Sequence, residues 1–352
     1  MILETYLNEN RLLEVNQIEF DKMINENTYY LTEGFTDTIK SICNKVWENI
    51  KKVFKKIIEG LKWIKSKTID KIINFFKSKA VKKKADVEAK NIIAEMEKND
   101  SDIKNKKIKI INYESIIKAF EEKSNKMNEF DMQGFIGAYD EFINTISEEF
   151  INLYKKDDEI YADDFIEKTV DKISEIKNEF KEESEDMIID LLEFDDSDLI
   201  NIRNIEELKK LYKEKMTKEF NSDEMFDKDN CTIISFEEFK NNYEKINNKI
   251  NDTMNKYIDL LEKSSKTFSL LINKVNDKEK LTKEILDNIT NKCKSNNNID
   301  IVNKYKAIPG FVNKIVVEFA NSLNKVSEVI NYKIQVDSSV LLNMKFYKVV
   351  EE

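Results

Sequence analysis

A scarcity of helix-breaking residues constrains the fold of this chain more than any other feature of its sequence. The 352 residues include 1 proline, Pro309, and 5 glycines, far fewer than average usage would give. Sandwiches, barrels and doubly wound folds need turn residues and glycine-rich loops, so this composition favours long helices. The charged residues, 36% of the chain, are of both signs and interspersed, as on solvated helix faces. We therefore predict an all-α fold, an elongated multi-helix array or bundle.

Several classes of function are disfavoured by the residue types present. Histidine is absent, which removes the commonest general base and the commonest zinc ligand. Cys43, Cys231 and Cys293 are far apart and form no CxxC pair. Nucleotide-binding glycine motifs are absent, and paired carboxylates are too frequent in an acidic chain to mark a catalytic dyad. We predict a protein that is not an enzyme and that binds no cofactor.

One segment has partial calcium-loop spacing. Asp227, Asp229 and Glu238 stand at the first, third and twelfth positions of an EF-hand-like loop, where oxygen ligands are needed. However, Cys231 replaces an oxygen ligand and Thr232 replaces the glycine of the turn. The simpler interpretation is that Ser235 is the N-cap of a helix with Glu238 as its capping-box partner. We therefore predict no metal site.

The distribution of charge divides the N-terminal quarter of the chain in two. Residues 1–33 carry 2 basic and 7 acidic side chains, a net charge of −5, whereas residues 34–90 carry 16 and 6, a net charge of +10. Since the whole chain carries −10, residues 91–352 carry −15. We predict an acidic leader at 1–33, a basic amphipathic helical arm at 34–90, helical domains at 91–220 and 221–330, and a C-terminal extension or hairpin at 331–352.

The basic arm has a clear helical period of apolar residues. Its stripe ends with Leu61, Ile64, Thr68, Ile72 and Phe75, and Ile69, Ile73 and Phe76 widen it. We expect Gly60 to be the point where the helix divides. Lysines occupy the opposite face, and the candidates for surface contact are Lys51, Lys52, Lys55, Lys56, Lys62, Lys65, Lys82, Lys83 and Lys84.

Three interpretations of this arm remain open. It is a core helix with a lysine-rich outer face, or it contacts nucleic-acid phosphates without reading bases, since arginine is nearly absent. Alternatively it lies on a membrane surface, because Trp47, Phe54, Trp63, Phe75 and Phe76 are opposed by lysines, as in an interfacial helix.

Further along the chain, apolar periodicity predicts helices over Asp163–Leu192, Ile205–Phe220, Ser235–Lys274, Asp277–Lys294 and Ile299–Ile330, the last one bent at Pro309. Ile108–Ile111 is expected to be a short extended link. Alternation after Asn331 predicts a C-terminal β-hairpin that turns at residues 337–339. No run of 18 uncharged apolar residues predicts a transmembrane helix.

The charge changes sign at Leu31-Thr32-Glu33-Gly34. This motif resembles the cleavage site of prohead proteases in large tailed phages, which cut after Glu in a Leu/Ile-x-Glu context before a small residue. Residues 1–9 look like the short acidic leaders of internal head (core) proteins in such phages. The resemblance covers about a tenth of the chain. It implies cleavage between Glu33 and Gly34, with Leu31 as part of the recognition site. Otherwise the segment precedes an ordinary helix capped by Thr36 or Asp37.

The resemblance implies a non-enzymatic virion protein, made in the bacterial cytoplasm and placed inside the head or in its assembly core. Other virion proteins would be its partners, and the basic arm would contact DNA phosphates or the capsid. Two alternatives stay open: a membrane-surface protein that uses residues 34–90, either cytoplasmic or peripheral, and a helical adaptor that binds another protein.

Overall fold

A computed structural model of the chain describes residues 35–82, 85–112, 162–194, 204–220, 231–294 and 299–350, with the single residues 116, 118, 119, 122, 140 and 226. The fold is mostly helical with a small antiparallel sheet, which confirms the predicted all-α class. In chain order the elements are α1 (Phe35–Trp63), a π-helical turn (Ile64–Ile69), α2 (Asp70–Lys82), α3 (Ala85–Asn99), a 3₁₀ turn (Ile103–Asn105), β1 (Lys107–Ile111), α4 (Ala162–Leu192), α5 (Ile205–Glu219), β2 (Cys231–Ser235), α6 (Phe236–Lys294), α7 (Ile299–Asn343) and β3 (Tyr347–Val350).

The described residues belong to two compact units. The first unit draws on segments within 1–61, 131–188 and 270–327, and the second on segments within 62–130, 189–269 and 328–352. These units interleave along the chain, whereas the five predicted ranges are consecutive. The five consecutive ranges, 1–33, 34–90, 91–220, 221–330 and 331–352, therefore stay a prediction.

The first unit has an apolar core built from helix faces. Val46, Ile50 and Phe54 of α1 are fully buried. Phe180 of α4 packs on Phe319 of α7 with ring centroids 5.9 Å apart. The three buried positions of α1 recur at four-residue steps, as the helical period of the sequence predicts.

The second unit contains a three-stranded sheet in the order β2-β1-β3, with both pairings antiparallel. Ile108 of the central strand lies opposite Ile234 on one side and Val349 on the other. Ile108 and Ile111 are buried, so the predicted extended link is the centre of the sheet.

The predicted C-terminal hairpin is wrong in its pairing and its turn. A terminal strand does form, but β3 pairs with β1, and residues 337–339 lie inside α7. Asp337 and Ser338 are both buried and hydrogen-bonded to other helical residues, which satisfies polar groups that a turn would expose to water.

Two predicted helix breaks are also wrong. The helix α6 continues from Phe236 to Lys294 through the expected gap near Asn276. The Asn276 side chain donates a hydrogen bond to the Ile272 carbonyl at 2.9 Å, and its neighbour Val275 is fully buried. Gly60 lies within α1, and the helix changes geometry only after Trp63.

That change is the π-helical turn. The Asp70 N–H donates to the Lys65 carbonyl, a bond that spans five residues instead of the four of an α-helix. The extra residue moves the buried face forward by one position. Ile64 and Thr68 are buried in the turn, followed by Ile69, Ile73 and Phe76.

The prediction that Ile72 and Phe75 continue the buried stripe is therefore wrong. Ile72 is half-buried, and Phe75 is 44% exposed while its neighbour Phe76 is 0% exposed. The prediction that Phe76 belongs to the buried stripe is confirmed, and only Phe75 lies outside the core.

Candidate functional site

The predicted contact lysines of the first unit lie on the outer face of α1. Lys51, Lys52 and Lys55 are exposed and Lys56 is half-buried. Lys55 makes an ion pair with Glu59 at 3.8 Å, but both side chains are largely exposed, so water and salt screen the pair. This face can therefore present several positive charges to a polyanion.

The remaining predicted contact lysines differ from one another in their surroundings. In the second unit Lys62 is exposed, whereas Lys65 is half-buried and its ammonium lies 3.3 Å from the Asp70 carboxylate. Lys82 lies in α2 but its side chain, together with Lys83 and Lys84, is outside the described residues.

The predicted cleavage site also lies outside the described residues. Leu31, Glu33 and Gly34 precede α1, whose first residue is Phe35. In the sequence only Gly34 stands between the Glu33–Gly34 bond and the first described helix.

The calcium-like segment contains the helix cap that the sequence predicts. The Glu238 N–H donates to the Ser235 hydroxyl at 3.2 Å, which confirms Ser235 as the N-cap of α6. Asp227 and Asp229 are outside the described residues, and the residues that are described contain no cluster of three metal-ligating side chains.

Sequence reasoning missed a buried polar network in the second unit. The Lys333 side chain of α7 is 0% exposed and its ammonium lies 3.5 Å from the carboxylate of Asp337, one turn later. The ammonium also donates to the Tyr212 hydroxyl of α5 at 2.7 Å. The Tyr212 hydroxyl in turn donates to the other Asp337 carboxylate oxygen at 2.6 Å. Three side chains from two helices thus satisfy one another away from water.

A second chain of hydrogen bonds links α7 to α6. The Ser338 hydroxyl donates to the Ile334 carbonyl at 2.6 Å, so the Tyr257 hydroxyl, 2.9 Å away, acts as the donor to Ser338. The Tyr257 ring also meets Phe76 of α2 edge to face, with centroids 5.6 Å apart. Polar and aromatic contacts therefore join α2, α6 and α7.

Burial controls the protonation of both tyrosines. It raises the pKa of Tyr212, and the charge of Asp337 and its hydrogen bond add to the effect. Burial and then the Asp337 charge raise the pKa of Tyr257, with the Ser338 hydrogen bond acting the other way. Both phenols therefore stay protonated and can donate their hydrogen bonds.

A second nearly buried lysine extends these contacts. Lys209 of α5 is 5% exposed and contacts the carboxylates of Glu206, at 2.9 Å, and Glu328. Burial alone would lower the pKa of Lys209, but the hydrogen bonds to Glu328 and Glu206 outweigh it and the pKa is raised.

These buried groups hold helices together and do not resemble a reactive site. The Lys333 side chain is 0% exposed, and its ammonium is already hydrogen-bonded to the Tyr212 hydroxyl. The available sequence signal was the spacing of Lys333 and Asp337 by four residues, on the same side of α7 as the buried Val329, Ile330 and Leu341.

Comparison with family models, curated proteins and solved structures found no match to this chain. Among the helices that the structure describes, none is long and apolar enough to cross a membrane. A function for this chain is therefore proposed from its charge distribution, its exposed surfaces and its contacts.

Removing the Lys333 ammonium should destabilise the protein strongly. We expect Lys333→Met to lower the free energy of unfolding by about 3–5 kcal/mol, because Asp337 is left as a buried charge without its cation. Lys210→Met is the matched control, since Lys210 pairs with Glu214 at 3.8 Å on the exposed surface of α5 and should cost under about 0.5 kcal/mol.

Urea denaturation of both variants and of Lys333→Met/Asp337→Leu measures these costs. The double variant should lose less than the sum of its two single variants. An equal cost for Lys333→Met and Lys210→Met would contradict the buried network.

Proposed function

We propose that this protein is a non-enzymatic virion component of a tailed phage, located inside the head or in its assembly core. In this proposal residues 1–33 are a leader that is removed by cleavage between Glu33 and Gly34. The observation that carries the proposal is the reversal of charge, from −5 to +10, at the Leu31-Thr32-Glu33-Gly34 motif.

The basic arm is the part of the protein that contacts DNA phosphates or an acidic capsid surface. The exposure of Lys51, Lys52 and Lys55 supports this role, because charges on an outer helix face reach a polyanion without unfolding the core. Lysine contacts to phosphates carry no sequence information, so binding is expected to be independent of base sequence.

The acidic remainder of the chain limits where such contact takes place. Residues 91–352 carry −15, so most of the protein is repelled by nucleic acid while the arm is attracted. This asymmetry favours an oriented contact through the arm over general adhesion.

The N-terminus of native protein tests the leader. Protein recovered from particles should begin at Gly34 when its N-terminal peptide is identified by mass spectrometry, whereas protein expressed without other phage proteins should retain residues 1–33. Particle-derived protein that begins at Met1 or Ile2 would eliminate the processing step.

The salt dependence of DNA binding tests the arm. Substituting Lys51, Lys52 and Lys55 by Gln should reduce the slope of log K against log salt concentration by roughly 2–3, because each lysine that contacts a phosphate of duplex DNA contributes about 0.9. Filter binding across a salt series on one duplex measures the slope.

A control variant removes the same amount of charge elsewhere. Lys213, Lys245 and Lys256 are exposed on α5 and α6, and their replacement by Gln should leave the slope unchanged. Equal slopes for the two triple variants, or no binding by the parent protein, would remove the DNA role.

A further inference from the structure

An exposed aromatic and basic surface in the second unit begins at the last two residues of α1 and continues along the π-helical turn and α2. Trp63 is 37% exposed and Phe75 is 44% exposed. Lys62, Lys67 and Lys71 are exposed beside them. We call these five residues the Trp63–Phe75 face.

The wide turn brings four of these side chains closer to one side of the helix. Trp63, Lys67, Lys71 and Phe75 follow one another at four-residue steps. In an α-helix, three such steps drift by about 120° around the axis, because four residues exceed one 3.6-residue turn. A π turn holds more residues per turn, which reduces this drift over the first steps and keeps the four side chains closer together.

Two carboxylates that contact residues of this segment are already engaged. Asp70 accepts hydrogen bonds from Lys65 at 3.3 Å and from the Ser265 hydroxyl at 2.9 Å. Glu262 pairs with Lys77 at 2.6 Å. The positive charge of Lys62, Lys67 and Lys71 is therefore not opposed by an unpaired acid among these neighbours.

We propose that the Trp63–Phe75 face binds the surface of an anionic phospholipid bilayer. Indole and phenyl rings partition to the boundary between headgroups and acyl chains, while lysines beside them contact lipid phosphates. Duplex DNA would satisfy the lysines but would leave both aromatic rings in water. A lipid surface accommodates the two kinds of side chain together, and charge complementarity selects acidic headgroups.

This activity goes beyond the proposed virion function and does not depend on it. The DNA proposal is tested at Lys51, Lys52 and Lys55 in the first unit, whereas the lipid proposal is tested at Trp63, Lys67, Lys71 and Phe75 in the second unit. Either proposal can therefore fail while the other stands.

The two tryptophans allow a direct test with the full chain. Trp47→Phe leaves Trp63 as the single tryptophan, and Trp63→Phe leaves Trp47, which is half-buried on α1. Vesicles of equal parts phosphatidylglycerol and phosphatidylcholine should shift the emission of Trp47→Phe to shorter wavelength. The emission of Trp63→Phe should not shift, and vesicles of phosphatidylcholine alone should shift neither.

Vesicle co-sedimentation measures the contribution of each kind of side chain. Trp63→Ser/Phe75→Ser should weaken binding at least tenfold, and so should Lys67→Glu/Lys71→Glu. Lys245→Glu/Lys256→Glu makes the same change of charge on α6, and Leu270→Ser removes an exposed apolar side chain that is 62% exposed in the first unit. Both controls should bind like the parent protein.

Three results would overturn the proposal. The first is no emission shift and no sedimentation with acidic vesicles. The second is binding that needs the lysines but is unchanged by Trp63→Ser/Phe75→Ser, which indicates a general polyanion contact. The third is an equal emission shift of Trp63 with single-stranded DNA, whose bases stack on aromatic rings, and with vesicles. Unchanged far-ultraviolet circular dichroism confirms that each exposed-site variant is folded.

Discussion

The π-helical turn at Ile64–Ile69 is the constraint on which the second unit depends. It moves the buried face of the helix forward by one residue, so that Ile69, Ile73 and Phe76 enter the core. The turn is held from the side by polar contacts: the Thr68 hydroxyl donates to the Asn331 side chain of α7 at 2.7 Å, and Ser265 of α6 donates to Asp70. The same shift that places Phe76 against Tyr257 leaves Trp63 and Phe75 in contact with water. Core packing and the proposed lipid-binding face are thus two consequences of one turn.

The buried polar network fixes the position of one long helix relative to the next. Apolar side chains tolerate sliding of one helix along another, because many arrangements bury similar area. A hydrogen-bonded set such as Tyr212, Lys333 and Asp337 tolerates none, since each displaced partner leaves a buried charge or hydroxyl unsatisfied. We therefore interpret the network as the feature that fixes α5 against α7. The hydrogen bond between Tyr257 and Ser338 fixes α6 against α7 in the same way.

Local pattern was enough to predict the helical class, the buried positions of α1 and the N-cap of α6, because each depends on residues close in sequence. Val46 and Ile50 follow the helical period, and Ser235 caps a helix three residues from its partner. The failures share a different cause. Asp337 resembles a turn residue until Tyr212, 125 positions earlier in the chain, donates to it. Phe75 fits the apolar stripe until the π turn displaces it. Long-range partners decide these positions, and periodicity contains no information about them. The contact lysines were predicted from their place on the outer face of an amphipathic helix. That pattern does not identify the ligand that binds them.

The most direct measurement compares alanine substitutions at two adjacent phenylalanines. We expect Phe76→Ala to lower the free energy of unfolding by about 3–5 kcal/mol, as for other fully buried rings. Phe75→Ala should change the same free energy by less than about 1 kcal/mol, as expected for a half-exposed surface position. Urea denaturation of the two variants under identical conditions gives both values. Equal costs, or a larger cost for Phe75→Ala, would mean that the helix keeps its α-helical register through residue 69 and that the π-helical turn does not shift the buried face.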